Sequence, residues 1–139
     1  MFYTNQILEA HKLHHENRRD DLRQYYDTRT WWKECGAFIG IYPRQSGKTV
    51  ALARLASRWE FSRLLVCNKI QKEYLVGQGY IPSMITVVRG DFQIKDLRLQ
   101  DDPSLYHIFI DEFMWMEKEA IDIILDQKWN SVTMLGSMR

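Results

Sequence analysis

Two short stretches of this chain carry residue types whose spacing suits phosphate chemistry. The first is Gly40-Ile41-Tyr42-Pro43-Arg44-Gln45-Ser46-Gly47-Lys48-Thr49. Its end, Ser46 to Thr49, stands between an apolar strand-like run and a helix-like run. A glycine at 47 lets the backbone bend so that successive N–H groups point at one anion. Lys48 supplies a cation for the β- and γ-phosphates. Thr49 supplies a hydroxyl for Mg²⁺ at the positive end of the helix that starts here. The general pattern G-x-x-x-x-G-K-[ST] puts its first glycine at position 42, where this chain has Tyr42.

The second stretch is Tyr106-His107-Ile108-Phe109-Ile110-Asp111-Glu112. It reads as a buried strand that delivers two carboxylates at its C-terminal end. One reading makes the acidic pair the start of the following helix, favoured by the helix dipole. The other makes Asp111 a metal-holding carboxylate and Glu112 the group that polarises an attacking water. The presence of Lys48 and Thr49 upstream favours the second.

Elements with a definite order are needed to bring these stretches together. Residues 4–34 are polar with nearly balanced charge, and Leu8, Leu22 and Tyr25 suggest one long helix or two short ones. His11 and His15, one turn apart, are expected on a solvated helix face rather than as metal ligands. Trp31 and Trp32 are expected to pack this segment onto the rest. From residue 36 strands and helices alternate. Strands are expected at Ala37–Tyr42, Arg63–Cys67, Met84–Val88, Tyr106–Ile110 and Ser131–Leu135. Helices are expected at Gly47–Glu60, Asn68–Val76 and Glu117–Gln127, with a small hairpin between Gly90 and Leu105. The expected fold class is therefore α/β: a five-stranded, mostly parallel sheet with flanking helices (36–139), preceded by an N-terminal helical arm (1–35). Ligands of such sheets bind at the C-terminal strand ends. The Lys48 loop, Asp111-Glu112 and Gly136-Ser137 all fall there.

The whole set resembles the ATPase domain of viral large terminases, motors that package phage DNA, within the P-loop NTPase class that has an additional strand and a catalytic glutamate. The resemblance rests on Arg44-Gln45-Ser46-Gly47-Lys48-Thr49, on Asp111-Glu112, and more loosely on Thr133-Met134-Leu135-Gly136-Ser137, which lacks the proline common in that third motif. It implies ATP and Mg²⁺ as ligands. Arg44 through Thr49 would cradle the phosphates, Thr49 and Asp111 would serve the metal, and Glu112 would activate water. Lys48 and Arg44 would act on the transferring phosphate, Arg44 as a finger in cis. Gly136 and Ser137 would couple hydrolysis to movement. An upstream glutamine that reads the adenine edge is expected at Gln24, beside Tyr25-Tyr26. The implied partners are double-stranded DNA, packaging or replication proteins, and further copies of the chain.

The chain has 139 residues, 45% hydrophobic and 13% aromatic, with 19 basic and 18 acidic side chains and a net charge of +1. These values suit one folded domain and announce no broad basic field. Cys35 and Cys67 lack metal-site spacing and read as reduced packing thiols. No apolar run reaches membrane-spanning length and no leader pattern opens the chain, so a cytoplasmic protein is expected. No nuclease domain is expected after the third motif. Two other readings stay open. One is a phosphotransferase of the nucleoside-kinase type, which also pairs Ser-Gly-Lys-Thr with a strand ending in Asp-Glu. The other is a terminase-like binding or regulatory protein with weak turnover.

Overall fold

Five segments rich in β-branched and aromatic residues pair into one sheet in a computed structural model that describes residues 3–88, 97, 99 and 101–138. They are β1 (Phe38–Tyr42), β2 (Ser62–Val66), β3 (Ile85–Val87), β4 (His107–Asp111) and β5 (Ser131–Ser137). Every pairing is parallel, and the order across the sheet is β1-β5-β4-β2-β3. The fold is thus α/β with an all-parallel sheet. The hairpin expected between Gly90 and Leu105 lies for the most part outside the described residues. Its described end, Pro103–Leu105, is a single 3-10 turn.

Position in the sheet explains strand composition. β4 and β5 are interior and buried at every residue, so neither shows the in-out alternation of an exposed strand; β4 has the apolar run Ile108–Ile110, while β5 mixes apolar residues with the small hydroxyls of Ser131, Thr133 and Ser137. β1 is an edge strand and alternates, with Ile39 and Ile41 exposed. β3, at the other edge, has three residues, a length that limits edge-to-edge pairing.

Helices cover both faces. On one lie α1 (Thr4–Glu16), α3 (Lys48–Ala56) and α4 (Lys69–Gly77), packed over Leu64, Val66, Phe109 and Leu135. Alanines 51, 53 and 56 let α3 approach the sheet closely. α3 stops four residues before the expected Glu60. There the Ser62 hydroxyl donates to Ala56 O at 2.7 Å and to Trp59 O at 3.3 Å, ending the helix and opening β2. On the other face lie α2 (Thr28–Trp31), a π-helical turn (Trp32–Gly36) and α5 (Lys118–Leu125). Trp31 and Trp32 are buried there as expected, against Ala120, Ile124 and Leu125. Their ring nitrogens donate to Arg19 O and Gln127 O. Gly36 has a packing reason, since a Cβ there would sit 2.2 Å from the Trp31 ring.

The N-terminal segment departs from expectation in one respect. Its buried stripe is Thr4, Ile7 and His11, spaced for one helix face, while Tyr25 is exposed. His11 is not solvated. It is 5% exposed, shares a 3.1 Å hydrogen bond with Thr133 Oγ1 in β5, and meets Phe38 edge-on. Polar residues occupy the inner face of α1 because the sheet offers them a hydroxyl partner and aromatic walls there. Among the described residues, no group of three or more His, Cys, Asp or Glu is placed to hold a metal ion, and no helix is long and apolar enough to cross a membrane.

Candidate functional site

The register places three chain segments on one rim. Tyr42 at the end of β1 is level with Ser137, and Asp111 at the end of β4 is level with Leu135. β1 and β4 are therefore not neighbours. β5 separates them by two strand spacings, about 9.6 Å. The loop 43–47 leaves β1 on one side of this interval, and Asp111-Glu112 leaves β4 on the other.

Backbone conformation at the rim is unusual. Among the described residues only two non-glycines have positive φ, Gln45 (57°) and Glu112 (53°), and both border this interval. Gly47 follows at φ 87° and caps α3. Tyr42, where the general loop pattern has glycine, needs no such conformation. It ends β1 with its ring over Gly40, where a Cβ would lie 2.6 Å from Tyr42 Cε2. Its ring also meets Tyr3 at 6.1 Å. The side chain thus turns down onto the helix α1 side of the sheet.

The side chains converge across the interval. Lys48 Nζ lies 3.2 Å from Glu112 Oε1, both side chains being under a tenth exposed, and it also donates to Pro43 O at 3.4 Å. The Thr49 hydroxyl donates to Asp111 Oδ2 at 2.7 Å. The Ser137 hydroxyl donates to Glu112 Oε1 at 2.5 Å. Three buried oxygens in this group have no partner: Ser46 Oγ, Asp111 Oδ1 and Glu112 Oε2. Unpaired buried polar oxygens are costly, and a bound group that satisfied them would remove that cost. Hard oxygen donors suit Mg²⁺, which takes one or two protein ligands and completes its shell with phosphate and water. Thr49 gives its proton to Asp111 and keeps its lone pairs. Thr49 Oγ1 and Asp111 Oδ1 are therefore the atoms that fit such an ion.

Burial is the chief cause that raises the Asp111 carboxyl to about 6, against the opposing hydrogen bond from Thr49. Burial also pushes the Cys67 thiol up to about 12, so it stays protonated. Its sulfur lies 3.5 Å from Asp111 O and 3.3 Å from Glu112 O, holding the carbonyls at the sharp bend after β4. Both cysteines are free.

A cavity of about 310 Å³ lies over the loop, lined by Gln45 to Val50 and by Tyr74 of α4. Nothing in the periodicity of 68–77 singled out Tyr74, which reads there as one more surface residue of a short helix. Gly136 is where Phe113 and Met114 pack, a Cβ there lying 3.0 Å from Met114 Sδ.

Two expected members stand apart. Arg44 is exposed, its guanidinium 5.9 Å from the Trp115 ring centre, beside a cleft of about 770 Å³ shared with Pro43 and Met138. Among the described residues it makes no ion pair. Gln24 is at the opposite end of the sheet. α1 starts at the loop, where Tyr3 N donates to Ser46 O and Thr4 Oγ1 to Gly47 O, and runs 13 residues, about 20 Å, away from it. Arg18 then bonds Asn130 O just before β5 begins, and Gln24 follows, bonded to Asp21 O.

Titration at the two ends of the sheet acts on stability with opposite signs. Burial lowers His11 and His107 to about 4, and neighbouring charges add to it: His15, His14 and Arg58 at His11, His15 and Arg18 at His107. Unfolded histidines titrate near 6.5, so as pH falls from 6.5 towards 4 the unfolded chain takes up two protons that the folded chain refuses. Asp111 offsets one of these below pH 6, being protonated in the fold before it is in the unfolded chain. His15, also lowered by burial, acts in the same sense as His11 and His107, so a net loss of at least about one proton's worth, about 1.4 kcal/mol per pH unit, is expected between pH 6 and 4. Urea midpoints at stepped pH read this directly. Stability that rises as pH falls from 6 to 4 would place the histidines in water and leave the Asp111 effect alone.

Compared with known proteins, the chain matches no family model, no curated protein and no solved structure.

Proposed function

We propose that this chain binds ATP with Mg²⁺ on the loop at 43–49 and hydrolyses it, as the ATPase core of a DNA-packaging motor does. The observation that carries the reading is the Lys48–Glu112 contact at 3.2 Å beside the Thr49–Asp111 bond at 2.7 Å. A loop cation and hydroxyl thus face two buried carboxylates across one inserted strand. That inserted strand, β5, also supports the additional-strand class to which the resemblance points.

The roles follow from position. Backbone N–H groups of the loop and Lys48 receive the phosphates, and Lys48 exchanges its contact with Glu112 for them. Bound Mg²⁺ would neutralise phosphate charge from Thr49 and Asp111. Glu112, relieved of Lys48, is a free base for a water near the terminal phosphate. Ser137 on the same carboxylate gives β5 a direct hold on that base. The base of the nucleotide would lie towards the start of α1 or towards Tyr74, not near Gln24.

The test is ATP turnover by the purified chain, with and without double-stranded DNA. Turnover stimulated by DNA supports the motor reading. Nucleotide binding with no turnover in any condition would leave a binding or regulatory protein. Phosphorylation of a nucleoside would move the assignment to the kinase class.

Arg44 needs a rotation away from Trp115 to reach a terminal phosphate. If it acts there as a finger, Arg44→Ala lowers turnover on the order of a hundredfold and affinity much less. Comparing kcat with the nucleotide Kd checks this, and a loss confined to affinity makes Arg44 a ground-state tether.

A further inference from the structure

Gln71, in the first turn of α4, has both ends of its side-chain amide engaged. Nε2 donates to Asp111 Oδ2 at 3.1 Å, and Oε1 accepts from the Cys67 backbone N–H at 3.3 Å. Its own backbone N–H is held by the Asn68 cap at 2.9 Å. Only one orientation of the amide serves both partners, because the reverse would set a carbonyl against a carboxylate and an NH₂ against an N–H. A surface glutamine on a short helix has no reason to be so constrained.

The effect falls on Asp111. With Thr49 alone, one hydrogen bond on Oδ2 would leave the carboxylate free to turn about its terminal torsion. A second donor on the same oxygen, from a different helix, fixes the plane of the group. Oδ1 is then the atom left buried and unpartnered. The same amide fastens Asp111 to the end of β2 through Cys67, whose sulfur also meets the Asp111 and Glu112 carbonyls.

We infer that Gln71 is a positioning residue for the metal site: it orients Asp111 so that Oδ1 faces Mg²⁺ when a nucleotide is bound. The inference rests on the nucleotide reading above and adds to it a residue outside both sequence motifs. Partners that orient a metal-binding side chain typically change metal affinity by about 10–100-fold when removed.

The experiment measures binding, not turnover. A non-hydrolysable ATP analogue with an imido β–γ bridge is titrated by calorimetry in EDTA and at stepped Mg²⁺. Gln71→Met keeps the bulk without the hydrogen bonds, and Gln71→Ala is the second variant. The expected result is a rise of about tenfold or more in the Mg²⁺ needed for half-saturation, with analogue affinity in EDTA within about twofold of the parent. Mn²⁺ titration of the analogue complex by electron paramagnetic resonance should show the same weakening. An unchanged Mg²⁺ requirement in Gln71→Met overturns the inference. So does an equal loss with and without metal, which would mean Gln71 only supports the local fold. If the parent itself fails to bind the analogue, the nucleotide reading falls, and this inference with it.

Discussion

Glu112→Gln is expected to bind ATP at least as tightly as the parent and to hydrolyse it on the order of a hundred times more slowly. Removal of a general base costs about 10²–10⁴ in rate. The amide retains the shape of the carboxylate and can still accept from Ser137, so the rim should keep its form. What it loses is the charge that pairs with Lys48 at 3.2 Å. In the parent, phosphates must draw Lys48 away from Glu112, and in the variant that competition is absent. The nucleotide-free variant carries a buried ammonium without its counterion, so its melting point should drop. Ligand should restore more stability than in the parent, because binding to the native state alone adds RT ln(1 + [L]/Kd). Single-turnover hydrolysis together with thermal shift at fixed nucleotide would read all three effects. Turnover equal to the parent's would remove Glu112 from the chemistry.

Lys48→Ala is expected to abolish ATP binding and to destabilise the fold. The two effects have one origin. Without Lys48 the phosphates lose their cation, and Glu112, 5% exposed, loses its partner. Breaking one half of a buried pair typically costs about 3–5 kcal/mol. The double variant Lys48→Ala/Glu112→Gln separates the two. It should recover much of the stability, since no buried charge remains in the pair, and recover none of the binding. Calorimetric titration with ATP beside urea denaturation distinguishes these outcomes. Normal affinity in Lys48→Ala would end the phosphate assignment of the loop.

The strand-and-helix alternation from residue 36 was readable because short runs rich in β-branched and apolar residues, such as Ile108–Ile110 in β4, alternate with helix-like stretches. The loop was readable because Gly47 suits its positive φ, and the acidic pair because two carboxylates end an apolar strand; the positive φ of Gln45 and Glu112 left no mark in the sequence. The docking of α1 was not, because its inner face carries Thr4 and His11, polar residues whose partners are far away in the chain. Gln24 stands out only by its sequence neighbours Tyr25 and Tyr26, whereas proximity to the loop depends on the direction in which α1 runs. Gln71 gives no signal in one dimension. A glutamine looks the same on a wet helix face and between a carboxylate and a backbone N–H. The tolerance of Tyr42 likewise depends on Gly40, two residues earlier on the same face of β1, leaving space for its ring.

β5 touches His11 through Thr133 at one level and Glu112 through Ser137 at another. With all seven residues enclosed, it cannot slip along its neighbours, since a one-residue shift would turn each side chain to the wrong layer. Thr133 and Ser137 stand four positions apart on one face of this strand, so the first helix and the Glu112 carboxylate are fastened to the same side of a single element.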